Sequence, residues 1–442
     1  MLKRILIVLA ILVVVLLGAG WWLTRPDKAQ LPAEAVMGPM PKLSAPREQW
    51  FPTIGIAQVV GWPAGGKPKP AAGLQVQAFA DKLDHPRWLY RLPNGDVLVA
   101  ETNSPPREGG SIQGWVMNLL LGRAGAGVPS ANRITLLRDA DGDGVAETRS
   151  ALLTGLNSPF GMALVDDWLY IANTDAVVRV PFKVGETRIA AKPEKVLSLP
   201  GGGNHWARNL IYNPDTGTLF ITVGSSTNIA EEGLEQEANR ANVLEFDPRT
   251  KNVRIYTSGM RNPNGLAFEP RTRTLWTVVN ERDQLGSDLP PDYLATVELG
   301  ANYGWPWAYW GGFTDHRVTP ERPDDLQYYK RPEYALGPHV AALGLSFANE
   351  ARLGPNFANG AFISLHGSWN RDPPSGYKVI YVPFGNNGYP AKDAKPVEVL
   401  TGFLDGQGRA QGRPVGVITD KTGALLVADD VGNVIWRVSA AK

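Results

Sequence analysis

The sequence contains no cysteine among its 442 residues. This absence excludes disulfide bonds, thiolate catalysis, cysteine-ligated zinc or iron–sulfur centres, and lipid attachment through cysteine. A dominant charge is also missing, because 44 Lys and Arg face 43 Asp and Glu and leave a formal charge of +1. Nucleic acid is therefore not predicted as a partner, since proteins that bind it carry a clustered basic excess.

Long apolar runs are equally scarce, and the main one occupies residues 5–23, directly after Lys3 and Arg4. A helix of this length reaches roughly 28 Å, close to the hydrocarbon thickness of a bilayer. The two basic residues favour a cytoplasmic N-terminus. We therefore predict that residues 1–24 anchor the protein in the inner membrane, with the rest of the chain in the periplasm. A cleaved signal peptide, which would release the protein, is the alternative.

Residues 25–73 are rich in proline, glycine and alanine, and we treat them as a linker that is either a tether or an irregular cap. From residue 74 onward one pattern recurs, in which two apolar stretches flank a turn and the second stretch ends in small or polar residues. Such a unit is typical of a β-hairpin. Its six copies lie at 87–102, 161–175, 209–225, 265–281, 343–368 and 415–430.

Roughly 60 residues per copy suit a four-stranded sheet with its loops. We therefore predict that residues 74–442 form an all-β domain, a six-bladed β-propeller. In a propeller, loops from different blades meet near the central channel and form the ligand site. Polar residues just outside the strands of several copies are thus the candidate functional residues.

Two of these loops carry residues that could act as a general base or bind a ligand through hydrogen bonds. GGGNHWARNL at 201–210 places His205 after three glycines and three residues before Arg208. A neutral imidazole is a suitable general base near pH 7. GMRNPNGL at 259–266 places Arg261 and Asn262 in front of the next hairpin. Arg261 has a fixed fork of donors that suits carboxylate, and Asn262 offers both a donor and an acceptor.

Two acidic loops are candidate calcium sites, because Ca²⁺ prefers carboxylate and carbonyl oxygens. The loop after the fourth hairpin contains Glu281, Asp283 and Asp288. The other acidic loop contains Asp139, Asp141 and Asp143 at alternating positions. It lacks the Glu that ends an EF-hand loop, so it is either a calcium-stiffened turn or a solvated acidic turn.

Several motifs in one order resemble the soluble quinoprotein sugar dehydrogenases, and more closely the L-sorbosone and aldose dehydrogenase branch. They are GGGNHWARNL (201–210), GMRNPNGLAF (259–268), NERDQLGSD (280–288), LGANYGWPWA (299–308), FISLHGSWNRDPPSGYKVIYVPF (362–384) and GRPVGVITDKTGALLVADD (412–430). The resemblance covers about residues 75–440. It implies a six-bladed propeller that holds pyrroloquinoline quinone (PQQ) and Ca²⁺.

The resemblance also implies roles for particular residues. His205 matches the base that takes the proton of the sugar hydroxyl, and Arg261 and Asn262 match a pair that contacts the cofactor. Asp283 and Gln284 match the dipeptide whose carbonyls hold calcium in the glucose enzymes.

Arg413 matches an arginine that pairs with cofactor carboxylates, Tyr334 matches an aromatic beside the sugar, and His366 stands where the glucose enzymes have a cofactor-binding lysine. From their positions alone, we also expect Arg208 to contact the cofactor and His339 to line the channel near the substrate.

These observations favour a PQQ- and calcium-dependent oxidation of a sugar or sugar aldehyde. Its electrons would pass to membrane ubiquinone or to a periplasmic cytochrome. A calcium-dependent lactonase on the same fold is one alternative, and an exported binding propeller without catalysis is another. A lactonase needs several carboxylates that converge on one metal, whereas the loops here are richer in Arg, Asn and His.

Overall fold

The computed structural model describes residues 2–23, 25–49, 53–106 and 122–441. An α-helix spans Leu2–Leu23, and its stretch Lys3–Gly20 is long and apolar enough to cross a membrane, with none of it buried against the rest of the protein. A membrane span and a signal segment both fit this helix. Short 3₁₀ turns lie at Ala33–Val36, Leu234–Glu237, Pro323–Tyr328, Ala348–Glu350 and Pro355–Phe357.

Six antiparallel sheets follow one another around a ring, and we number them as blades 1 to 6. Blade 1 consists of Pro86–Arg91, Val97–Glu101, Arg133–Arg138 and Thr148–Leu153. Blade 2 consists of Met162–Val165, Trp168–Ala172, Ala176–Pro181 and Glu194–Ser198. Blade 3 consists of Leu210–Asn213, Thr218–Val223, Asn242–Phe246 and Val253–Ser258. Blade 4 consists of Asn262–Phe268, Leu275–Asn280, Pro291–Thr296 and Tyr334–Pro338. Blade 5 consists of Ala342–Phe347, Gly360–Leu365, Lys378–Pro383 and Val397–Thr401. Blade 6 consists of Pro414–Thr419, Leu425–Asp429, Val434–Ala440 and Leu74–Ala80.

The prediction of a six-bladed β-propeller is confirmed. Each hairpin copy in the sequence is the first pair of strands of one blade, and the first strands of neighbouring blades contact one another around the ring. The apolar core lies between blades. For example, Trp276 of blade 4 is fully buried with its ring centre 5.2 Å from that of Phe384 of blade 5.

The ring of blades is closed by backbone hydrogen bonds, because the first strand of the propeller domain is the outer strand of the last blade. Leu74–Ala80 pairs antiparallel with Val434–Ala440, and Leu74 lies opposite Ala440. Leu74 and Val76 are buried while Gln75 and Gln77 are exposed. This alternation gives the strand one face for the core and one for water.

Every first strand starts, and every second strand stops, at the same end of the propeller, which we call the loop end. The turns of the six hairpins lie at the opposite end, the hairpin end. The motifs at 201–210, 259–266 and 280–288 therefore all belong to the loop end. This common placement brings distant stretches of chain together.

The described part of residues 25–73 packs against the propeller. Met37–Gly38 adds an edge strand to blade 4, and Lys69–Pro70 adds one to blade 5. The indole Nε1 of Trp62 donates to Asp429 Oδ2 at 2.7 Å. These described residues are thus held against the propeller by strand pairing and a side-chain hydrogen bond.

Candidate functional site

His205 presents an unprotonated ring nitrogen at the loop end. Its Nδ1 lies 2.8 Å from the carbonyl oxygen of Ser225. A carbonyl only accepts hydrogen bonds, so Nδ1 carries the proton and Nε2 keeps its lone pair. Burial, and then the charge of Arg261, hold the pKa of His205 well below its ordinary value. The half-buried ring is therefore a neutral base at pH 7.

Glycine is required where His205 approaches blade 4. A Cβ on Gly224 would lie 2.6 Å from His205 Cβ and closer still to Asn262 Oδ1. Gly203, with φ of +79°, also lets the histidine loop approach Ser226. Because these positions lack side chains, His205 and Asn262 lie on either side of one strand end.

Arg208 supports this loop from below rather than facing the channel. The residue is fully buried, and its guanidinium donates to the carbonyls of His205 at 2.6 Å and of Pro200 at 2.8 Å. Its Nη1 and Nη2 are thus engaged by the protein while its Nε is buried without a hydrogen-bond partner, and the cofactor contact at Arg208 stays a prediction. Its contacts make it a positioning residue for His205.

Arg261 and Asn262 lie where the first strand of blade 4 begins. Arg261 is buried, and it donates to Glu281 O at 2.7 Å, to Asn228 Oδ1 at 3.0 Å and to Asp283 Oδ2 at 3.3 Å. Asn262 donates to Asn280 Oδ1 at 3.2 Å, but its own Oδ1 is buried without a hydrogen-bond partner. A buried acceptor of this kind is a place for a donor from a ligand.

A second cluster of charged and polar residues surrounds Asp430, at the loop end of blade 6. Asp430 Oδ2 accepts from Arg87 Nη1 at 2.7 Å and from His366 Nε2 at 2.9 Å, and His85 Nε2 lies 3.5 Å away. Burial, and then the charge of Arg413, lower the pKa of His366 to about 3. His366 is therefore neutral at pH 7.

Arg413 belongs to this cluster, but its guanidinium hydrogen-bonds to the protein's own backbone. Each of its three guanidinium nitrogens donates to a backbone carbonyl, of His366 at 3.1 Å, of Gly367 at 2.7 Å and of Ala124 at 3.3 Å. Its charge lines the channel, whereas its donors hold the loop that carries His366.

Arg87 is a candidate that the sequence analysis missed. Its guanidinium lies 5.5 Å from the ring centre of Trp206 and 5.9 Å from that of Phe160, and its Nε is buried without a partner. Arg87 is the second residue of the strand Pro86–Arg91 and lies inside an apolar pattern, so no local signal in the sequence marked it.

The four predicted calcium ligands do not converge. Glu281 pairs with Arg282 at 3.0 Å, and fully buried Asp288 accepts from Gln30 N at 2.7 Å and from Arg47 Nη2 at 3.1 Å. Both residues thus serve the packing of the loop.

The carbonyls of Asp283 and Gln284 are also occupied. Arg317 Nη1 donates to both of them, at 3.0 and 3.1 Å. Each carbonyl accepts a further hydrogen bond, from Asn228 Nδ2 and from Gln49 N respectively. A carbonyl has two lone pairs, so neither oxygen has one free for calcium.

The Asp283 carboxylate is the remaining candidate ligand. Its Oδ2 accepts from Arg261, its Oδ1 accepts from Asn370, and its side chain is 17% exposed. Because each carboxylate oxygen has two lone pairs, both oxygens retain capacity for a cation.

His339 lies in the group of residues around the Asp283 carboxylate, and Tyr334 does not. His339 Nε2 donates to Gly286 O at 3.0 Å, its Nδ1 lies 3.2 Å from Asn370 Nδ2, and burial lowers its pKa. Tyr334 starts the outer strand of blade 4 at the hairpin end, where its hydroxyl donates to Ala394 O at 2.9 Å. It is a fully buried core residue, so the structure does not place it beside a sugar.

The acidic loop at residues 139–147 lies at the hairpin end, away from these groups. Carboxylate oxygens of Asp139, Asp141, Asp143 and Glu147 lie within 4.8 Å of one another. The sequence analysis missed Glu147, which lies outside the alternating pattern. Calcium binding by this loop stays a prediction.

The contacts at the loop end run around the channel from blade to blade. Trp206 of the His205 loop stacks near Arg87 of blade 1, and Asn370 of blade 5 contacts Asp283 of blade 4. The site combines guanidinium groups, a basic imidazole nitrogen and a buried unpaired acceptor. Such a set suits an anionic ligand and the removal of a proton from a hydroxyl.

Similar proteins carry this fold. Aldose sugar dehydrogenase YliI of Escherichia coli is 24% identical over 314 residues, which cover 66% of this chain and 78% of that protein. The calcium structure of the family AA12 carbohydrate-active enzyme of Trichoderma reesei superposes with a TM-score of 0.68 at 18% identity, over 85% of this chain and 97% of that one. The holo PQQ domain of pyranose dehydrogenase from Coprinopsis cinerea also gives 0.68, at 19% identity, over 84% and 97%.

A family model agrees with these likenesses. The TrAA12-like model matches residues 116–292 and 321–441, which together are more than half of the chain. The matched ranges contain His205, Arg261 and Asp430. The protein therefore belongs to the TrAA12-like family, whose relatives include PQQ-dependent sugar dehydrogenases.

Proposed function

We propose that this protein oxidises a sugar or sugar aldehyde, of the aldose or L-sorbosone type, with PQQ and Ca²⁺ as cofactors. The observation that carries the proposal is the unprotonated Nε2 of His205, held beside Arg261 and Asn262 by the bond from Nδ1 to Ser225. Family membership supports the reaction class. The apolar helix supports placement at the inner membrane with the propeller in the periplasm, where ubiquinone or a cytochrome would take the electrons.

The loop end fits an aromatic cofactor that carries several carboxylates. Arg87 offers a buried Nε without a partner beside the rings of Phe160 and Trp206, and Asn262 offers an unpaired Oδ1. Arg261 and Arg413 add positive charge. These residues would hold the cofactor through charge, stacking and directed hydrogen bonds.

The chain itself supplies the base and its orientation. His205 Nε2 accepts the proton of the substrate hydroxyl, and the developing imidazolium is stabilised by the donation from Nδ1 to Ser225 O at 2.8 Å. Bound PQQ supplies a quinone carbon that accepts the hydride. Arg208 keeps the imidazole in place through the His205 carbonyl.

Reconstitution of the purified full-length protein tests this function. We expect dye reduction that depends on sugar and requires both PQQ and Ca²⁺. Saturable quenching of tryptophan fluorescence by PQQ would report binding separately from turnover. Lactone hydrolysis without PQQ, or ligand binding without turnover, would contradict the proposal and would favour the lactonase or the binding propeller.

The calcium ligand has its own test in Asp283→Asn. This change removes the negative charge but keeps the shape and an acceptor oxygen, so we expect the affinity for Ca²⁺ in the presence of PQQ to fall about 10-fold or more. Calorimetric titration with Ca²⁺ measures it without any sugar. Asp215→Asn, at an exposed hairpin-end position, is the matched control. Unchanged Ca²⁺ affinity in Asp283→Asn would remove this residue from the metal site.

A further inference from the structure

The chain that leaves the apolar helix binds at once to the loop end of the propeller. The helix ends at Leu23, and four residues later Asp27 accepts a hydrogen bond from the backbone N–H of Ser287 at 2.6 Å. Ser287 Oγ donates in return to Asp27 O at 2.6 Å. Arg47 closes the contact through Nε and Nη2, at 2.8 and 2.7 Å from the Asp27 carboxylate.

We call residues 27–31 together with Arg47 the N-terminal clamp. The residues after Asp27 extend its contacts to a second blade. Ala29 N donates to Asp372 O at 2.8 Å, and Gln30 N donates to Asp288 Oδ2 at 2.7 Å. Arg371 Nη2 donates to Leu31 O at 3.0 Å. The clamp therefore holds loops of blades 4 and 5, the same loops that carry Asp283 and Asn370.

The connection between helix and clamp is short. Residues 24–26 separate Leu23 from Asp27, and a fully extended chain covers at most about 14 Å over that step. The described side chains of the helix are exposed, so the propeller leaves its apolar surface uncovered. Wherever the helix lies, the loop end must lie next to it.

We propose that the N-terminal clamp turns the loop end of the propeller, and with it the candidate site, toward the membrane that holds the helix. The partner of this end is a lipid bilayer. The exposed Arg25 and Lys28 suit an anionic headgroup layer beside the clamp. An electron acceptor dissolved in the bilayer would then reach the site directly. This orientation depends on retention of the helix and not on the chemistry proposed for the site.

The absence of cysteine allows a direct test with single labels. Glu232→Cys places a thiol at the loop end of blade 3, and Asp215→Cys places one at the hairpin end of the same blade; both positions are exposed. Asp175→Cys and Asp167→Cys form the same pair on blade 2. The strands between the two ends are about 20 Å long, so the paired labels differ in height above the bilayer.

The full chain, labelled with a fluorophore, is reconstituted into phosphatidylethanolamine–phosphatidylglycerol vesicles that contain a headgroup nitroxide quencher. We expect strong quenching at Glu232→Cys and Asp175→Cys and about none at their hairpin-end partners. Equal quenching in each pair, stronger quenching at the hairpin end, or failure of the protein to stay with the vesicles would overturn the proposal.

The role of the clamp is tested by Asp27→Ala combined with Arg47→Ala in the labelled chains. Both substitutions lie outside the propeller strands, and Arg371 remains beside the buried Asp288 carboxylate, so circular dichroism should still show the folded propeller. We expect the variant to stay with the vesicles while the difference in quenching between paired labels disappears. A difference that persists would show that the clamp does not set the orientation.

Discussion

His205→Gln is expected to lower turnover by about two or more orders of magnitude, as is usual when a general base is lost. Glutamine preserves polarity and approximate size but has no basic nitrogen. The bond from the Nδ1 of His205 to Ser225 leaves Nε2 free to accept a proton in the native protein. PQQ binding, followed by quenching of tryptophan fluorescence, should remain nearly unchanged, because Arg87 and Arg261 are untouched.

The pH profile provides an independent check of this base. Burial and the charge of Arg261 lower the pKa of His205, so the imidazole stays neutral on both sides of the ordinary histidine value. We expect kcat to stay level from pH 8 down to about pH 6 and to fall only in more acidic solution. His316→Gln, on an exposed side chain, is the matched control and should behave like the native protein. Normal sugar oxidation by His205→Gln would show that another group takes the proton.

The blades were predictable because their signal is local. Each hairpin copy joins two apolar stretches across a short turn, and six copies of one unit leave few folds that can use them. The loop motifs were predictable for the same reason, since their position relative to a strand places them at one end. His205, Arg261 and Asn262 therefore all lie at the loop end of the propeller.

Side-chain direction and long-range partners were not predictable. Arg208 and Arg413 follow the expected motifs, but each donates to backbone carbonyls that lie around it only after folding. Tyr334 comes after a long insertion, and its distance from the channel depends on the outer strand of blade 4. Arg87 lies inside a strand-like pattern, so nothing local distinguished it from a framework residue.

The N-terminal segment illustrates the same limit. Its composition indicates irregular structure, and most of its described residues lie outside helices and strands. The contacts that fix it join residues about 260 positions apart, as between Asp27 and Ser287. A local pattern holds no information on such a pair, so only the structure identifies Asp288 as part of the clamp.

Asp430→Asn is expected to lower the free energy of unfolding by about 3–5 kcal/mol, the usual result when one partner of a buried ion pair is removed. The Asp430 side chain is 1% exposed and is the anion nearest to Arg87, with 2.7 Å between Arg87 Nη1 and Oδ2. Asparagine keeps the shape but leaves the guanidinium buried without its counter-charge. Urea unfolding at pH 7 measures the change, with Asp215→Asn as the exposed control.

Acid titration separates this charge effect from a packing defect. Burial raises the pKa of Asp430, but His366, His85 and Arg87 outweigh burial and lower the pKa well below its ordinary value. A carboxylate with a lowered folded-state pKa stabilises the protein above its unfolded-state pKa, near pH 4, and this stability is lost as the pH falls further. Asp430→Asn should therefore lose less stability than the native protein between pH 5 and pH 3, so that their unfolding curves approach each other in acid. A deficit that stays constant over this range would mean that shape, rather than charge, makes Asp430 necessary.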